Sequence, residues 1–587
     1  MDPARLRALV ERWIADDLDP ACREELSGLL LHPDLEATDL ADRFSGHLQF
    51  GTAGLRGVLG AGPNRMNRAV VVRTTWGLAR ALLASVPDAA ERGVVVGGDA
   101  RAMSRQFSED AAATLGGVGI RVVLFPEPVP TPLVGFAVEQ FGAAAGVVIT
   151  ASHNPREYNG YKVYWENAAQ IVPPVDDLIA QAIDRAPAAR EIEMPALEAL
   201  RASGRLIETP PELTRSYLDA IQRLAVRPGE GDRGFSIVYT PLHGVGDRLT
   251  RRALREAGFS SVSSVPEQQE PDGAFPTVAF PNPEEPGTLD LALSQARRAG
   301  AALVLANDPD ADRLAVAVLH EGRIVPLTGN QLGVLLGHYL LTERPPPRPG
   351  DRKRAILASI VSTPLAGRIA ADLGAHYEET LTGFKWIANR AVELEREGYE
   401  FVFGFEEALG YCVGNVVRDK DGISAATLVA EMAAVLRSRG RTLVDELEAI
   451  GRRWGVFASA QVNVTRTGPN GAATIEGMMA ALRASPPARI AGDELVALAD
   501  YQARARTDMR AGGAVAPLEL PSSNVLAFEL ASGSRIVARP SGTEPKAKFY
   551  FDLCDAVRPG ESAAQARARA EASIERLAQA FRTLARI

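Results

Sequence analysis

Residues 146–162, GVVITASHNPREYNGYK, decide how the rest of the chain is read. Val147, Val148 and Ile149 form a short β-branched run that stops at Thr-Ala-Ser-His-Asn-Pro, the pattern of a buried strand opening into a loop. Pro155 biases Asn154 away from the helical region, so Ser152 and His153 are expected on extended or turning backbone, and Asn159-Gly160 reads as a second turn. On this reading the Ser152 hydroxyl is presented at a loop tip rather than packed. A serine in such a loop is ordinarily a cap or a turn former, so its weight depends on what accompanies it.

Working outward, residues 73–83 carry a helical pattern, GVVVGGDAR (93–101) reads as a buried strand and turn, and RVVLFPEPVPTP (121–132) as a strand leading into a proline-rich loop. Strands alternating with helices imply an α/β fold with a mainly parallel sheet covered on both faces, and ligands of such sheets bind beyond the carboxyl ends of the strands. Ser152 stands at one of those ends. Upstream, residues up to about 33 form an amphipathic helical entry, and FGTAGLRG (50–57) sets three glycines beside Arg56. That composition suits a loop whose backbone approaches an anion while the arginine reaches over it, although three glycines also make an ordinary turn.

Downstream, residues 186–214 read as an exposed connection, and GFSIVYTPLHGVG (234–246) starts a second strand-to-loop unit. Residues 266–287, rich in proline and acids, are expected to be an irregular surface segment. In AALVLANDPDADRLAVAV (301–318) an apolar strand ends at Asn307, and Asp308, Asp310 and Asp312 follow at every second position, with Arg313 next. Carboxylates that close repel unless a cation neutralises them, and hard oxygen ligands that also meet a phosphate suit Mg²⁺. Residues 342–354 are too proline-rich and basic for an element interior. FVFGFEEALGY (401–411) sets Glu406 and Glu407 where paired carboxylates can accept hydrogen bonds from sugar hydroxyls. DKDGISAA (419–426) lacks calcium-loop spacing and reads as a capped turn entering a helix. The last domain, from about residue 455, holds a helix at 474–484, then VARPSGTEPKAKFY (537–550), in which Arg539, Ser541, Gly542, Thr543 and Lys546 compose a phosphate cradle. Residues 567–586 form a closing amphipathic helix.

At 587 residues the chain exceeds one hydrophobic core and calls for roughly three to five domains. With 64 Lys+Arg against 73 Asp+Glu the formal charge is -9, which argues against nucleic acid or anionic membranes as partners. No apolar run reaches the ~18 residues of a membrane span, and the N-terminus lacks a secretory pattern, so a cytoplasmic location is expected. Cys22, Cys412 and Cys554 match no metal spacing.

The motifs TASHNP with NGYK, FGTAGLRG, DPDADR, TGFKW, FEEALGY and RPSGTEPK, in that family's order from position 50 to 546, resemble the α-D-phosphohexomutases, closest to the phosphoglucomutase 2 and phosphopentomutase-like branch with its bacterial relatives. The resemblance implies four domains around a central cleft, three similar mixed α/β domains and a smaller C-terminal α+β domain, here expected at 1–205, 206–325, 326–452 and 453–587. It implies that Ser152 carries a phosphoryl group, that Ser152, Asp308, Asp310 and Asp312 bind Mg²⁺ with support from Arg313, and that Arg56 faces the catalytic phosphate. Thr382, Gly383 and Lys385 become candidates at the sugar phosphate, beside Glu406 and Glu407. The family loop is usually written GEESG or GEMSG; Ala408 here replaces its serine and Leu409 is extra, which removes one hydroxyl contact.

The implied reaction is transfer of a phosphoryl group between O1 and O6 of a hexose through phosphoserine and a bound bisphosphate, with glucose 1,6-bisphosphate or a cognate bisphosphate as activator. Glucose 1-phosphate to glucose 6-phosphate is the first expectation, with phosphopentomutase, phosphomannomutase and glucose 1,6-bisphosphate synthase as alternatives, and a non-catalytic sugar-phosphate sensor as an alternative of another class. Lys162, His153 and Lys385 compete for the role of general base, and a lysine there needs a lowered pKa or a charge-relay role. A monomer or weak homodimer acting on small sugar phosphates is expected.

Overall fold

A computed structural model describes residues 3–31, 39–51, 54–466, 471–510, 512–540 and 546–585. The first sheet has seven strands, in the order Phe50–Gly51, Gly54–Val58, Tyr158–Tyr164, Ala145–Ile149, Val94–Gly98, Val122–Leu124 and Leu206–Glu208. The last four run parallel, whereas Tyr158–Tyr164 returns antiparallel beside Ala145–Ile149. The reason is length: residues 150–157 are too few for a crossover of about a dozen residues, so the chain doubles back as a hairpin. Ala145–Ile149 and Val94–Gly98 are buried at every position, as strands covered on both faces must be.

The same unit recurs. In the second sheet Leu303–Ala306 runs parallel to Ile237–Thr240 and is followed by the antiparallel strand Ala315–His320; in the third, Glu400–Glu406 runs parallel to Arg354–Ser359 and is followed by Gly410–Val413. Each central strand ends in one of the polar motifs and then turns back, so the serine, the aspartates and the glutamates all leave the carboxyl ends of equivalent strands. The fourth sheet is antiparallel, built on Val456–Thr465, Lys546–Asp555 and Arg535–Pro540. Phe581 of helix Ala563–Ala585 anchors that helix on it, with ring centroids 5.5, 5.6 and 5.8 Å from Phe528, Phe549 and Phe551. Among the described residues no helix is long and apolar enough to cross a membrane.

Several expectations change. The first sheet continues past residue 205 to Leu206–Glu208, and the second past 325 to Arg323–Leu327, because an edge strand belongs to the sheet it pairs with rather than to the next composition change. Residues of FGTAGLRG form strands Phe50–Gly51 and Gly54–Val58, so Arg56 rides on a strand paired with Tyr158–Tyr164. Asn159-Gly160 is not a turn but lies inside that strand, where a Cβ on Gly160 would sit 2.6 Å from the Thr150 carbonyl oxygen and 2.7 Å from that of Leu55. The glycine serves close backbone approach. Gly160→Ala is therefore expected to cost about 1–3 kcal/mol and lower the melting temperature by several degrees; thermal unfolding followed by circular dichroism checks this, and an unchanged transition would contradict the packing.

Candidate active site

Ser152 adopts φ of 53°, a left-handed conformation that non-glycine residues reach at a cost of about 1–3 kcal/mol. It is 3% exposed, so the expectation of a presented hydroxyl is corrected: the second domain closes over the loop. The Ser152 hydroxyl donates to Asp308 Oδ2 at 2.8 Å and lies 3.2 Å from His153 Nδ1. Its backbone N–H donates to Thr150 Oγ1, which in turn donates to Asp99.

Asp308, Asp310 and Asp312 are fully buried, and each offers an oxygen within 4.8 Å of the others. Lys162 Nζ lies 2.8 Å from Asp310 Oδ2 and 2.9 Å from Asp312 Oδ2, Lys420 Nζ is 3.3 Å from Asp312 Oδ2, and Thr131 donates to Asp310 Oδ2 at 2.7 Å. The Oδ1 atoms of Asp310 and Asp312 have no hydrogen-bond partner. Two orphaned buried carboxylate oxygens beside a third carboxylate fit a hard divalent cation.

The charges divide the site. Burial, then Asp310 and Asp312, push Asp308 well above the usual carboxylate range. Burial pushes Asp312 the same way, but Lys162, Lys420 and Arg313 outweigh it and hold Asp312 low. Burial works against the cation of Lys162, yet Asp310, Asp312 and Asp419 overcome it and raise its pKa. The lowered pKa a lysine base requires is thus the opposite of what surrounds Lys162. Burial, with Arg313 and Arg56, keeps His153 well below its ordinary value, hence neutral. Arg56, hydrogen-bonded to Asn154 Oδ1 at 3.1 Å, is lowered to about 10 by burial and by Arg313; two arginines that repel each other beside a serine form a ready anion site.

Glu406 and Glu407 part ways. Glu406 accepts from the Gly383 N–H at 2.7 Å, and burial, then the Glu407 charge, raises its pKa against the opposing pull of Lys420, that N–H and Arg313. Glu407 accepts from Ser359 and Ser362, each at 3.2 Å, so the two carboxylates do not act as one adjacent pair: successive residues at a strand end point to opposite sides. Thr382 Oγ1 is buried without a partner. Arg313 ties the loops together, its backbone N–H donating to Asp308 and its guanidinium to the Ala408 carbonyl. Lys385 Nζ stands 5.4 Å from the Trp386 ring centroid, and burial lowers its pKa against the opposing charge of Asp176. Arg539 and Lys548 pair across the Arg535–Pro540 and Lys546–Asp555 hairpin, and burial, then Lys546, lowers the pKa of Lys548. Ser541, Gly542 and Thr543 lie outside the described residues.

Residues 47–190, 215–322 and 328–452 match, in order, the alpha/beta/alpha domains I, II and III of phosphoglucomutase/phosphomannomutase. The chain belongs to this family. It is 37% identical over 582 residues to a phosphopentomutase of Mus musculus (95% of this chain, 92% of the relative). It is 39% identical over 492 residues to a probable phosphomannomutase of Haemophilus influenzae (83% and 93%) and 36% identical over 584 residues to a glucose 1,6-bisphosphate synthase of Mus musculus (96% and 91%). Among solved structures, a putative phosphomannomutase from Thermus thermophilus aligns with a TM-score of 0.65 at 22% identity, over 92% of this chain and 100% of its own. This member of the α-D-phosphohexomutase superfamily is therefore an enzyme, an intramolecular phosphotransferase of the isomerase type.

For this phosphohexomutase, sequence reasoning missed Asp99, Thr131, Lys420, Glu284 and Lys548. Asp99 sits at a strand exit like the others and was findable on that ground. Lys420 lies in DKDG, whose sequence signals only a cap: Asp421 does cap helix Gly422–Ser438, while its neighbour turns to Asp312. Glu284, 3.7 Å from Arg313, comes from the segment read as surface. Metal-free protein is expected to bind Mg²⁺ in calorimetric titration and to melt at higher temperature with it, and Asp310→Asn to weaken binding by about tenfold or more; equal binding by the variant would remove these carboxylates from any metal site.

Proposed function

We propose that the enzyme interconverts sugar 1-phosphates and the isomeric terminal phosphates, glucose 1-phosphate to glucose 6-phosphate first among them, with Ser152 as phosphoryl carrier. The observation that carries this is the Ser152 hydroxyl held 2.8 Å from Asp308 at the edge of three converging carboxylates, with Arg56 and Arg313 beside it.

In the first half-reaction the free hydroxyl of the sugar monophosphate attacks the phosphorus of phosphoserine. The P–O bond to Ser152 breaks as the bond to sugar oxygen forms, and the hydroxyl proton leaves to a basic group. The bound bisphosphate then presents its other phosphate, the serine oxygen attacks it, the older P–O bond breaks, and the released sugar oxygen takes a proton. Atoms balance: the sugar has exchanged one phosphate position for another. Mg²⁺ bound by Asp308, Asp310, Asp312 and Ser152 would neutralise charge on the transferred group. Arg56 and Arg313 share that neutralisation, Glu406 and Thr382 meet ring hydroxyls, and Arg539, Lys546 and Lys548 hold the phosphate that is not reacting. Glucose 1,6-bisphosphate acts as activator by restoring phosphoserine.

Ala408 supplies no hydroxyl to the ring, and relatives are named for pentose, mannose and bisphosphate-forming reactions. Ribose or deoxyribose 1-phosphate is accordingly expected as a further substrate. Each hydrogen bond lost with the wrong ring is worth about 1–3 kcal/mol, or roughly tenfold to a hundredfold in kcat/KM. A panel of glucose, mannose, ribose and deoxyribose 1-phosphates, with and without bisphosphate, checks the order; a wide lead for mannose, or a bisphosphate as sole product from a separate donor, would overturn it. Ser152→Ala is expected to lose turnover by about a thousandfold or more while binding glucose 1-phosphate nearly as well; near-normal turnover would exclude the serine as carrier.

A further inference from the structure

Residues 266–287 have no helix or strand and belong to the second domain, yet their aromatic side chains reach the first, Phe275 on Arg101 and Phe280 on His153 of the serine loop. Phe275 is 3% exposed, and the guanidinium carbon of Arg101 stands 4.8 Å from its ring centroid. Gly273 packs so tightly on the Asp99–Arg101 turn that a Cβ would fall 2.5 Å from the Ala100 carbonyl oxygen. Phe280 meets the His153 ring edge-on at 6.1 Å. The segment is fastened to the exit of strand Ile237–Thr240: Thr240 donates to Gln268 Oε1 at 2.7 Å, the His243 N–H donates to the Gln268 carbonyl at 2.9 Å, and the Asp272 N–H donates to the His243 carbonyl at 2.9 Å. That same exit holds the metal loop, because the Val245 N–H donates to the Pro309 carbonyl at 2.9 Å. One strand exit therefore supports both the aspartates and the strap.

Beneath Phe275, Arg101 makes contacts that no other side-chain type reproduces. Its side chain is 0% exposed and 3.3 Å from Asp99 Oδ2. It donates to the carbonyls of Ser152 and Asn154 at 2.6 and 2.5 Å, and to those of Pro155 and Tyr158 at 2.8 and 3.2 Å. Three carbonyls of the serine loop and one from the first residue of the strand that follows converge on a single planar fork, around a serine kept in a left-handed conformation. Its hydrogen bonds to the serine loop all end on carbonyl oxygens, so its action passes through the backbone.

We propose that Arg101, clamped under Phe275, is the positioning residue that holds the Ser152 hydroxyl on Asp308, and that residues 266–287 register the serine loop of the first domain against the metal loop of the second. The inference rests on Ser152 being the phosphoryl carrier. A misplacement of about 1 Å costs on the order of a hundredfold in rate with little effect on substrate binding. Arg101→Lys keeps the charge and loses the fork; Phe275→Leu keeps an apolar filler and loses the ring.

The test compares full-length wild type, Arg101→Lys and Phe275→Leu in kcat and KM for glucose 1-phosphate, and in hydrogen exchange of the peptide spanning residues 150–158. Expected are a fall in kcat of about a hundredfold for Arg101→Lys and of about three- to thirtyfold for Phe275→Leu, KM near wild type, and faster exchange confined to that peptide. Folded variants with wild-type kcat, or a rise in KM with unchanged exchange, would overturn the proposal. If Arg101→Lys fails to fold, Phe275→Leu decides alone. Should Ser152→Ala prove active, the carrier assignment fails, while the exchange data still report whether Arg101 holds the loop.

Discussion

Burying Asp308, Asp310 and Asp312 together in one dry loop sets the terms for everything around them. Three carboxylates without water or cation would cost many kcal/mol, and removing one partner of a buried pair typically costs about 3–5 kcal/mol. The protein answers from every side: Lys162 comes from a strand of the first domain, Lys420 from the turn entering a helix of the third, Thr131 from the first domain, and Arg313 from the loop itself. Each of these domains thus carries charge that is satisfied only when the others are in place. The domain contacts share this logic, as where Tyr164 and Gln170 of the first domain both donate to Asp419 at 2.6 Å.

Recurrence of one hairpin unit explains how such a cluster is assembled from a long chain. A buried strand, a short polar loop and an antiparallel return appear in the first three sheets, each time delivering a different chemistry from the same end of the strand. The loops are too short to carry regular structure, so their shapes depend on neighbours. Arg313 bridges two of them and Arg101 is wrapped by a third.

Local signals made the main parts legible. Val147 to Ile149 before Ser152, and the apolar run before Asp308, announce strands and their exits by composition alone, and the alternating aspartates announce a convergence of carboxylates that could hold a cation. Ion-pair partners are different: nothing near Lys420 in the sequence says that it faces Asp312, more than a hundred positions away, or near Glu284 that it folds back on Arg313, because only the packed topology brings them there. Asn159-Gly160 misled for a related reason. The dipeptide is a strong turn former in isolation, but here Asn159 donates to the Ala102 carbonyl and Gly160 accepts close backbone on both sides, so tertiary contact overrides local preference. Glu407 likewise reads as a partner of Glu406 until Ser359 and Ser362 are seen to claim it.

The proposed mechanism requires that Ser152, and no other group, carry the phosphate between the two positions of the sugar. Purified wild-type enzyme incubated with glucose 1,6-bisphosphate, quenched in acid and mapped by peptide mass spectrometry, reads this directly. On this mechanism a single phosphate sits on the peptide containing Ser152, and when labelled phosphoenzyme is separated from bisphosphate and given excess unlabelled glucose 1-phosphate the label passes to glucose 6-phosphate while the serine is phosphorylated anew. A phosphate on any other residue, or an enzyme that turns over with no phosphorylated peptide at all, would contradict it.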